Sequence, residues 1–191
     1  MARRKEIAID RESLLAAAFA VLQDKGLDGL TMRELAAKLS VQAPALYWYL
    51  GDKAELLSAM AAAIYADARG AVPHSADWRD WLIGFGRALR QSLTAHRDGA
   101  RLCAIAQPVT VSAPADRRHN IAAPLLALGL DEARSLAFQA SVISLTLGWA
   151  SFQENGPMHD FLDTILDFDA AFELGLTALV RGYEAIPATR G

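Results

Sequence analysis

Apolar residues recur at helical spacing along most of the chain. Leu15, Ala18, Phe19 and Leu22 fall at i, i+3, i+4 and i+7, which marks one face of a helix. Asp10 stands ahead of them as a cap and Gly26 follows as a stop, so a first helix is predicted from Asp10 to about Asp24. Met32, Leu35, Ala36 and Leu39 repeat the pattern, and Thr31 with Glu34 forms a capping box at its start. Ser40-Val41-Gln42 makes a short connection. Pro44 fits only a helix's first turn, so a third helix should begin near Gln42 or Ala43, pass through Leu46 and Leu50, and stop at Gly51. The core of this unit is expected from Leu15, Phe19, Leu22, Leu35, Leu39 and Leu46. Asp52 with Glu55 launches a fourth helix, from Lys53 to about Gly70, carrying Leu56, Leu57, Met60, Ile64 and Tyr65.

Val72-Pro73-His74-Ser75 breaks the periodicity and marks a boundary. The organisation read from these signals is residues 1–52, a connecting helix at 53–70, and a second unit at 71–191. In that unit a helix is predicted from Asp77 to Ala95 with Trp78, Trp81, Leu82, Phe85 and Leu89 inward. A short helix follows at Ala100 to Ala106. Residues 109–120 carry no clear period, and a helix from about His119 to Leu128 is shortened or kinked by Pro124. Asp131 to Glu154 is apolar or small almost all round, as in a helix buried on every side. A helix near Met158 to Leu166 and a last one from Asp169 to Glu184 complete an all-α fold of nine to ten helices. The last helix carries Phe172, Leu176, Leu179, Val180 and Tyr183 on one stripe, with Gly175 and Gly182 allowing close approach.

Two short helices joined by a tight turn make the outline of a helix-turn-helix, whose second helix lies in a DNA major groove. Consecutive helical residues point about 100° apart, so Tyr47, Trp48 and Tyr49 cannot all face the core that Leu46 and Leu50 address. Either the run is partly buried or holds a tolerated surface aromatic, or it is an aromatic tip offered to phosphates, thymine methyls and base edges.

Residues 10–65 resemble the DNA-binding domain of the tetracycline-repressor (TetR) family of bacterial transcription regulators. The residues that carry the resemblance are Asp10-Arg11-Glu12-Ser13-Leu14-Leu15, Gly26 to Ala36, Ala45-Leu46-Tyr47-Trp48-Tyr49 and Lys53-Ala54-Glu55-Leu56-Leu57. It implies an N-terminal helix-turn-helix domain followed by a helical ligand-binding and dimerisation domain. It also implies DNA contacts at Thr31, Met32, Arg33, Gln42, Ala43, Pro44, Ala45, Tyr47, Trp48, Tyr49 and Lys53. Arg33 suits a bidentate guanine contact, while Tyr47 and Lys53 suit phosphates. The expected protein is a homodimeric repressor on a palindromic operator, paired through the helices at 131–154 and 169–184. A dyad in the DNA requires a dyad in the protein. The alternative is a helical dimeric adaptor whose pocket is simply filled as core.

The resemblance to the tetracycline repressor also sharpens the effector by disagreement. The tetracycline repressor's magnesium ligands fall on Cys103 and Phe152, and its polar drug contacts on Arg69, Phe85 and Ile121. A thiol and an aromatic ring do not make a hard-ion site, so magnesium-tetracycline should not bind. The pocket expected from Trp81, Phe85, Leu89, Leu102, Cys103, Gln107, Trp149 and Phe152 is mainly apolar and suits a small hydrophobic or aromatic effector.

Composition adds limits. At 53% hydrophobic and 21% charged, the 191 residues can build an ample core. The net charge of −3 advertises no nucleic-acid binder, so DNA affinity must come from local charge. All four lysines lie in the first 53 residues, where 8 basic residues meet 7 acidic ones, against 11 and 15 in the rest. Arg3, Arg4 and Lys5 form either a DNA-following arm or a frayed terminus. Cys103 is the single cysteine, so no intrachain disulfide is possible, and no secretory signal or membrane span is read, which predicts a cytoplasmic protein. His74, His96, His119 and His159 are widely spaced, so no metal site, cofactor or enzymatic centre is expected.

Overall fold

The computed structural model describes residues 10–107 and 114–185, and all secondary structure among them is helical. The first unit comprises α1 (Arg11–Gly29), α2 (Met32–Lys38) and α3 (Ala43–Leu46), with α4 (Lys53–Gly70) leading out of it. The second comprises α5 (Trp78–Thr94), α6 (Gly99–Ile105), α7 (Pro114–Leu126), α8 (Glu132–Glu154), α9 (Gly156–Asp163) and α10 (Phe168–Glu184).

The caps read from sequence are present. The Ser13 amide donates to the Asp10 carboxylate at 2.7 Å while the Ser13 hydroxyl accepts from the Asp10 amide at 3.2 Å. Thr31 Oγ1 accepts from the Glu34 amide at 3.2 Å, yet Glu34 does not reciprocate; its carboxylate pairs with Lys25. At α4 the Asp52 carboxylate accepts from the Glu55 amide at 2.9 Å, and Glu55 reaches back to the Gly51 amide at 2.8 Å. Asp77, Asp131 and Asp167 cap α5, α8 and α10 in the same way.

Several expectations are corrected. Helix α1 does not end at Gly26 but kinks there, at φ +69°, and resumes for a short turn to Gly29. The core face of α1 is Leu14, Ala18, Val21 and Leu22, so Leu15 and Phe19 are only partly buried, as is Leu39. The reason is that α1 serves two neighbours: one face packs on α2 and α4, and the next meets the second unit, where Phe19 stacks on His96 at 4.3 Å. Regular α3 stops at Leu46; Tyr47 to Tyr49 continue as a turn closed by the Tyr49 and Leu50 amides on the Leu46 carbonyl. Helix α7 begins at Pro114 rather than near His119, since proline is accommodated in a helix's first turn. Residues 109–113 of the segment read as irregular, and the basic residues Arg3, Arg4 and Lys5, lie outside the described residues.

Helix α8 is the centre of the second unit and packs on α5, α6, α7, α9 and α10. By length and composition it could cross a membrane, yet its covered face holds Ser135, Gln139 and Thr146. The hydroxyls of Ser135 and Thr146 bond back to carbonyls one turn earlier, and Gln139 donates to the Ile121 carbonyl of α7. It is not buried on every side within one chain. Ala133, Ala137, Ala140, Ser144 and Gly148 form an exposed stripe of small residues. On α10 the exposed counterpart runs through Ala170, Leu174, Ala178 and Gly182. Where α5, α8 and α10 meet, Gly86 lets the helices approach closely: a Cβ there would lie 2.8 Å from a Leu176 methyl and 3.2 Å from Val142, so those side chains would have to shift.

Candidate functional site

The first candidate site is the outer surface of the helix-turn-helix. Leu35, Leu46 and Leu56 are fully buried, and α2 packs on both α1 and α3 while α4 packs on α1. The turn between α2 and α3 passes through Ser40 at φ +57°, with the Val41 amide bonded to the Ala36 carbonyl. The aromatic tip then has nowhere inward to go, because Leu46 occupies the core position. Tyr47 is 52%, Trp48 90% and Tyr49 55% exposed. Thr31, Arg33, Gln42, Pro44 and Lys53 are exposed beside them, and Ala43 and Ala45 are half-exposed. Met32 is the exception among the expected contacts: it turns into the core at 8% exposure. The helix that Met32 opens must bury one face, and Met32 shares that face with Leu35 and Ala36. Two nearby lysines are already engaged, Lys25 with Glu34 and Lys38 with Asp24 at 3.2 Å.

The second candidate is a cavity of about 690 Å³ between the two units. Its walls come from α1 (Leu14, Leu15), from Tyr49 and Leu50, from the α4 face running from Glu55 to Arg69, and from Cys103, Ala106, Ile121 and Ile143. Of the eight residues expected around an effector, only Cys103 lines it. Phe85, Leu89 and Leu102 are fully buried, Trp81 stacks on Phe85 at 5.1 Å, and Trp149 packs edge-on against Phe168 at 4.9 Å. Phe152 and Gln107 are exposed, and the Gln107 carbonyl accepts from the Ser58 hydroxyl. The inward residues of α5 fill core because α8 and α4 close over them, which moves the open space to the α4–α6–α7 side. Arg69 and Ile121, where polar drug contacts of the tetracycline repressor were expected to fall, do line the cavity, and Tyr65, not expected there, joins Arg69 on one face of α4 by its i, i+4 spacing.

The chemistry of this cavity is that of a largely apolar chamber. Burial pushes the Cys103 thiol up to about 12, with Glu154 adding to the effect, so it is no thiolate at neutral pH. Burial, and secondarily Cys103, likewise raises the Tyr65 hydroxyl to about 12. The Arg69 Nε is enclosed and has no hydrogen-bond partner among the described residues.

A third feature joins the units. The Leu27 amide donates to Asp98 at 2.7 Å, Arg97 reaches the carbonyls of Gln23 and Asp24, and Arg101 pairs with Asp28 at 2.8 Å. This corner between α5 and α6 is held in turn by Glu154 at the end of α8, which accepts from the Ala100 amide at 2.8 Å.

Comparison with known proteins agrees with this architecture. Residues 14–60 match the family model for bacterial regulatory proteins of the tetR family, and residues 72–156 match that for the tetracyclin repressor-like C-terminal domain. The tetracycline repressor protein class A from transposon 1721 of Escherichia coli is 47% identical over 98 residues, covering 50% of this chain and 45% of that repressor. The chain spans about half the length of the curated relatives it matches. Over the whole fold, a solved structure of class A TetR with 5a,6-anhydrotetracycline and magnesium is 32% identical, covering 94% of this chain and all 100% of that one at a TM-score of 0.72. The structure of BioQ with its double-stranded DNA operator is 32% identical over 93% of this chain and 99% of that one, with a TM-score of 0.68. Sequence and fold agree across both units, and the chain belongs to the TetR family of bacterial regulatory proteins.

Proposed function

We infer that this protein is a cytoplasmic, sequence-specific transcriptional repressor that acts as a homodimer on a palindromic operator. The observation that carries this reading is the exposed Tyr47-Trp48-Tyr49 tip on a helix-turn-helix whose own core is already complete. Aromatic rings held in water at the end of a rigid helix have an obvious use against a duplex, with Arg33 reading a guanine and Tyr47 and Lys53 setting register on phosphates. The relatives named tetracycline repressor, and the BioQ structure with its operator, support the same reading. Met32 is assigned to the core, and the remaining expected contacts stay on the duplex side.

A small, largely apolar or aromatic ligand releases the DNA. The cavity supports this because its walls belong to both units at once: Tyr49 and Leu50 of the reading head share it with Cys103, Ile121 and Ile143. A molecule seated there favours one spacing of the two reading heads over another, with α4 as the shared wall. Reversing a population from 99:1 takes roughly 5.5 kcal/mol of differential affinity. The ligand differs from magnesium-tetracycline, whose hard-ion donors have no counterpart in Cys103 and Phe152.

A gel-shift series against an arrayed palindrome library, repeated at rising salt, tests the DNA-binding reading. Specific binding that Tyr47→Ala or Arg33→Ala removes supports it. Uniform, sequence-indifferent retention in wild type and both variants alike overturns it.

A further inference from the structure

We propose that the cavity between the two units selects an anionic amphiphile, an apolar body carrying one carboxylate or comparable oxyanion that pairs with Arg69. The proposal rests on the effector reading of that cavity and names the class of molecule that enters.

The polar groups around the cavity separate into committed and free. The Ser58 hydroxyl is spent on the Gln107 carbonyl, and the Glu55 carboxylate accepts from the Gly51 amide at 2.8 Å. Cys103 is held as a neutral thiol by its burial. Arg11 and Tyr49 stand exposed at the reading-head end, which leaves Arg69 and Tyr65 as the polar pair of the inner wall, one helical turn apart on α4, and among the described residues neither makes a side-chain hydrogen bond. The Arg69 Nε is closed off from solvent, and burial lowers the guanidinium's affinity for its proton. A cation taken from water without an anion beside it is an unfavourable arrangement that an incoming oxyanion relieves.

No carboxylate among the described residues does that work. Glu55 is the single acidic residue on the cavity wall among the described residues. It sits fourteen residues before Arg69 on the same helix, about 21 Å away at 1.5 Å per residue. Arg11 of the reading head also lines the cavity and is exposed to solvent. Among the described residues the far end of the cavity thus carries a positive charge with no carboxylate beside it, and the wall between the two ends is mainly alanine, leucine and isoleucine, with Ser58 and Cys103 both committed. A planar guanidinium engages a carboxylate or sulfonate in paired hydrogen bonds, and the Tyr65 hydroxyl, un-ionised at neutral pH, is placed to donate a third. The apolar body then lies along α4 toward Leu15 and Leu50, against the reading head.

Two fluorescent probes of similar shape separate the possibilities on the full chain. 8-Anilinonaphthalene-1-sulfonate carries the anion, and N-phenyl-1-naphthylamine has the same rings without it. Wild type is expected to bind the sulfonate at least about tenfold more tightly than the neutral amine. Arg69→Gln should remove that preference while leaving the neutral probe's affinity unchanged, and Arg69→Lys should retain part of it. Ile143→Trp, which fills the cavity, should abolish both. Equal affinity for the two probes, an unaltered preference in Arg69→Gln, or sulfonate binding that survives Ile143→Trp overturns the anion assignment while leaving a cavity ligand possible. Failure of both probes to bind wild type overturns the effector reading itself and the anion assignment with it.

Discussion

The Leu27 amide donates a hydrogen bond to the Asp98 carboxylate at 2.7 Å, although the two residues stand 71 positions apart in the chain. The geometry on both sides is special. Gly26, just before Leu27, turns with φ +69°, and Asp98 itself sits at φ +56°. A Cβ on Gly26 would come within 2.9 Å of the same Asp98 oxygen. The kink in α1 and the corner between α5 and α6 are therefore shaped to each other, and Asp98 satisfies an amide that the kink frees from the helix. Replacing Asp98 by Ala leaves that part-buried amide without a partner and should cost about 1–3 kcal/mol of stability. Urea denaturation measures the loss, and hydrogen exchange at the Leu27 amide localises it. Arg101→Ala, which breaks only an exposed pair with Asp28, should change stability little.

Gly99 opens α6 beside this contact, and a Cβ at that position would stand 2.2 Å from the Leu93 carbonyl oxygen. That neighbour is backbone and cannot rotate away. Gly99→Ala should therefore displace the whole corner, destabilise the fold by about 1–3 kcal/mol, and weaken protection at Leu27 as well. If the corner moves but Leu27 stays protected, the two units are coupled elsewhere.

Much of this was legible from local signals and little of it from spacing alone. The caps at Asp10, Thr31 and Asp52 are local chemistry, and each forms where its residue type predicts. The exposed tip follows from a simple count: with Leu46 inward, Tyr47 to Tyr49 cannot all be covered. The cavity was not legible because Phe85 and Leu89 look the same whether they face a ligand or a neighbouring helix, and here α5 is sealed between α4 and α8. Tyr65 and Arg69 were legible singly, one among the apolar residues of α4 and the other at a drug-contact position of the tetracycline repressor. As one polar pair they were not, since a tyrosine and an arginine four apart are ordinary on a helix surface. Only the enclosure of the Arg69 Nε distinguishes them. The face of α1 was misjudged by one position, since periodicity marks a stripe but not which of two partners it serves.

Salt dependence gives a direct test of the reading surface. Each phosphate contact that is lost lowers the slope of log K against log salt by about 0.9. Lys53→Ala should reduce the slope by about one unit with little effect on sequence preference, because a phosphate contact positions without reading. Arg33→Ala should cost about 1–3 kcal/mol on the preferred operator and much less on a scrambled one. Fluorescence titrations across a salt series distinguish these outcomes, and the 90% exposed Trp48 is a built-in reporter. Equal losses on all sequences for Arg33→Ala would remove it from the base-reading set.

Glu154 carries a pH signature. Its carboxyl is held above its ordinary value of 4.5 chiefly by burial, partly offset by hydrogen bonds from the Ala100, Arg101 and Gly99 amides, while Asp98 raises it further. A folded-state value raised above the unfolded one means that the ionised group costs stability at neutral pH. That cost is fully present above the folded value, fades as the pH falls from the folded value toward the unfolded one, and is gone below it. Glu154→Gln keeps an acceptor for the Ala100 amide and removes the buried charge. It should melt at a higher temperature than wild type at pH 7, with the gap closing as the pH drops through the ordinary carboxylate range. Thermal melts at a series of pH values check this, and a gap that widens on acidification would show that the charge itself holds α6.

Leu174 is 72% exposed in the middle of α10, the most exposed aliphatic side chain among the described large hydrophobic residues. Ala170, Ala178 and Gly182 flank it at intervals of four, so the open face of α10 is smooth and apolar around one projecting leucine. The open face of α8 is smooth too, through Ala137, Ala140, Ser144 and Gly148, and Gly148 has nothing within 4 Å of where a Cβ would stand. Two copies of this pair, brought together about a two-fold axis, would bury the leucine of each against small residues of the other. Close approach of that kind tolerates neither charge nor bulk. Leu174→Arg and Gly148→Phe should each yield monomers by sedimentation velocity while leaving the helical circular dichroism unchanged. Because a palindromic operator engages two reading heads at once, both variants should also lose most operator affinity without any change on the DNA-facing surface. A variant that stays dimeric would move the interface elsewhere, and a monomer that still binds the full operator as tightly as wild type would break the link between symmetry and recognition.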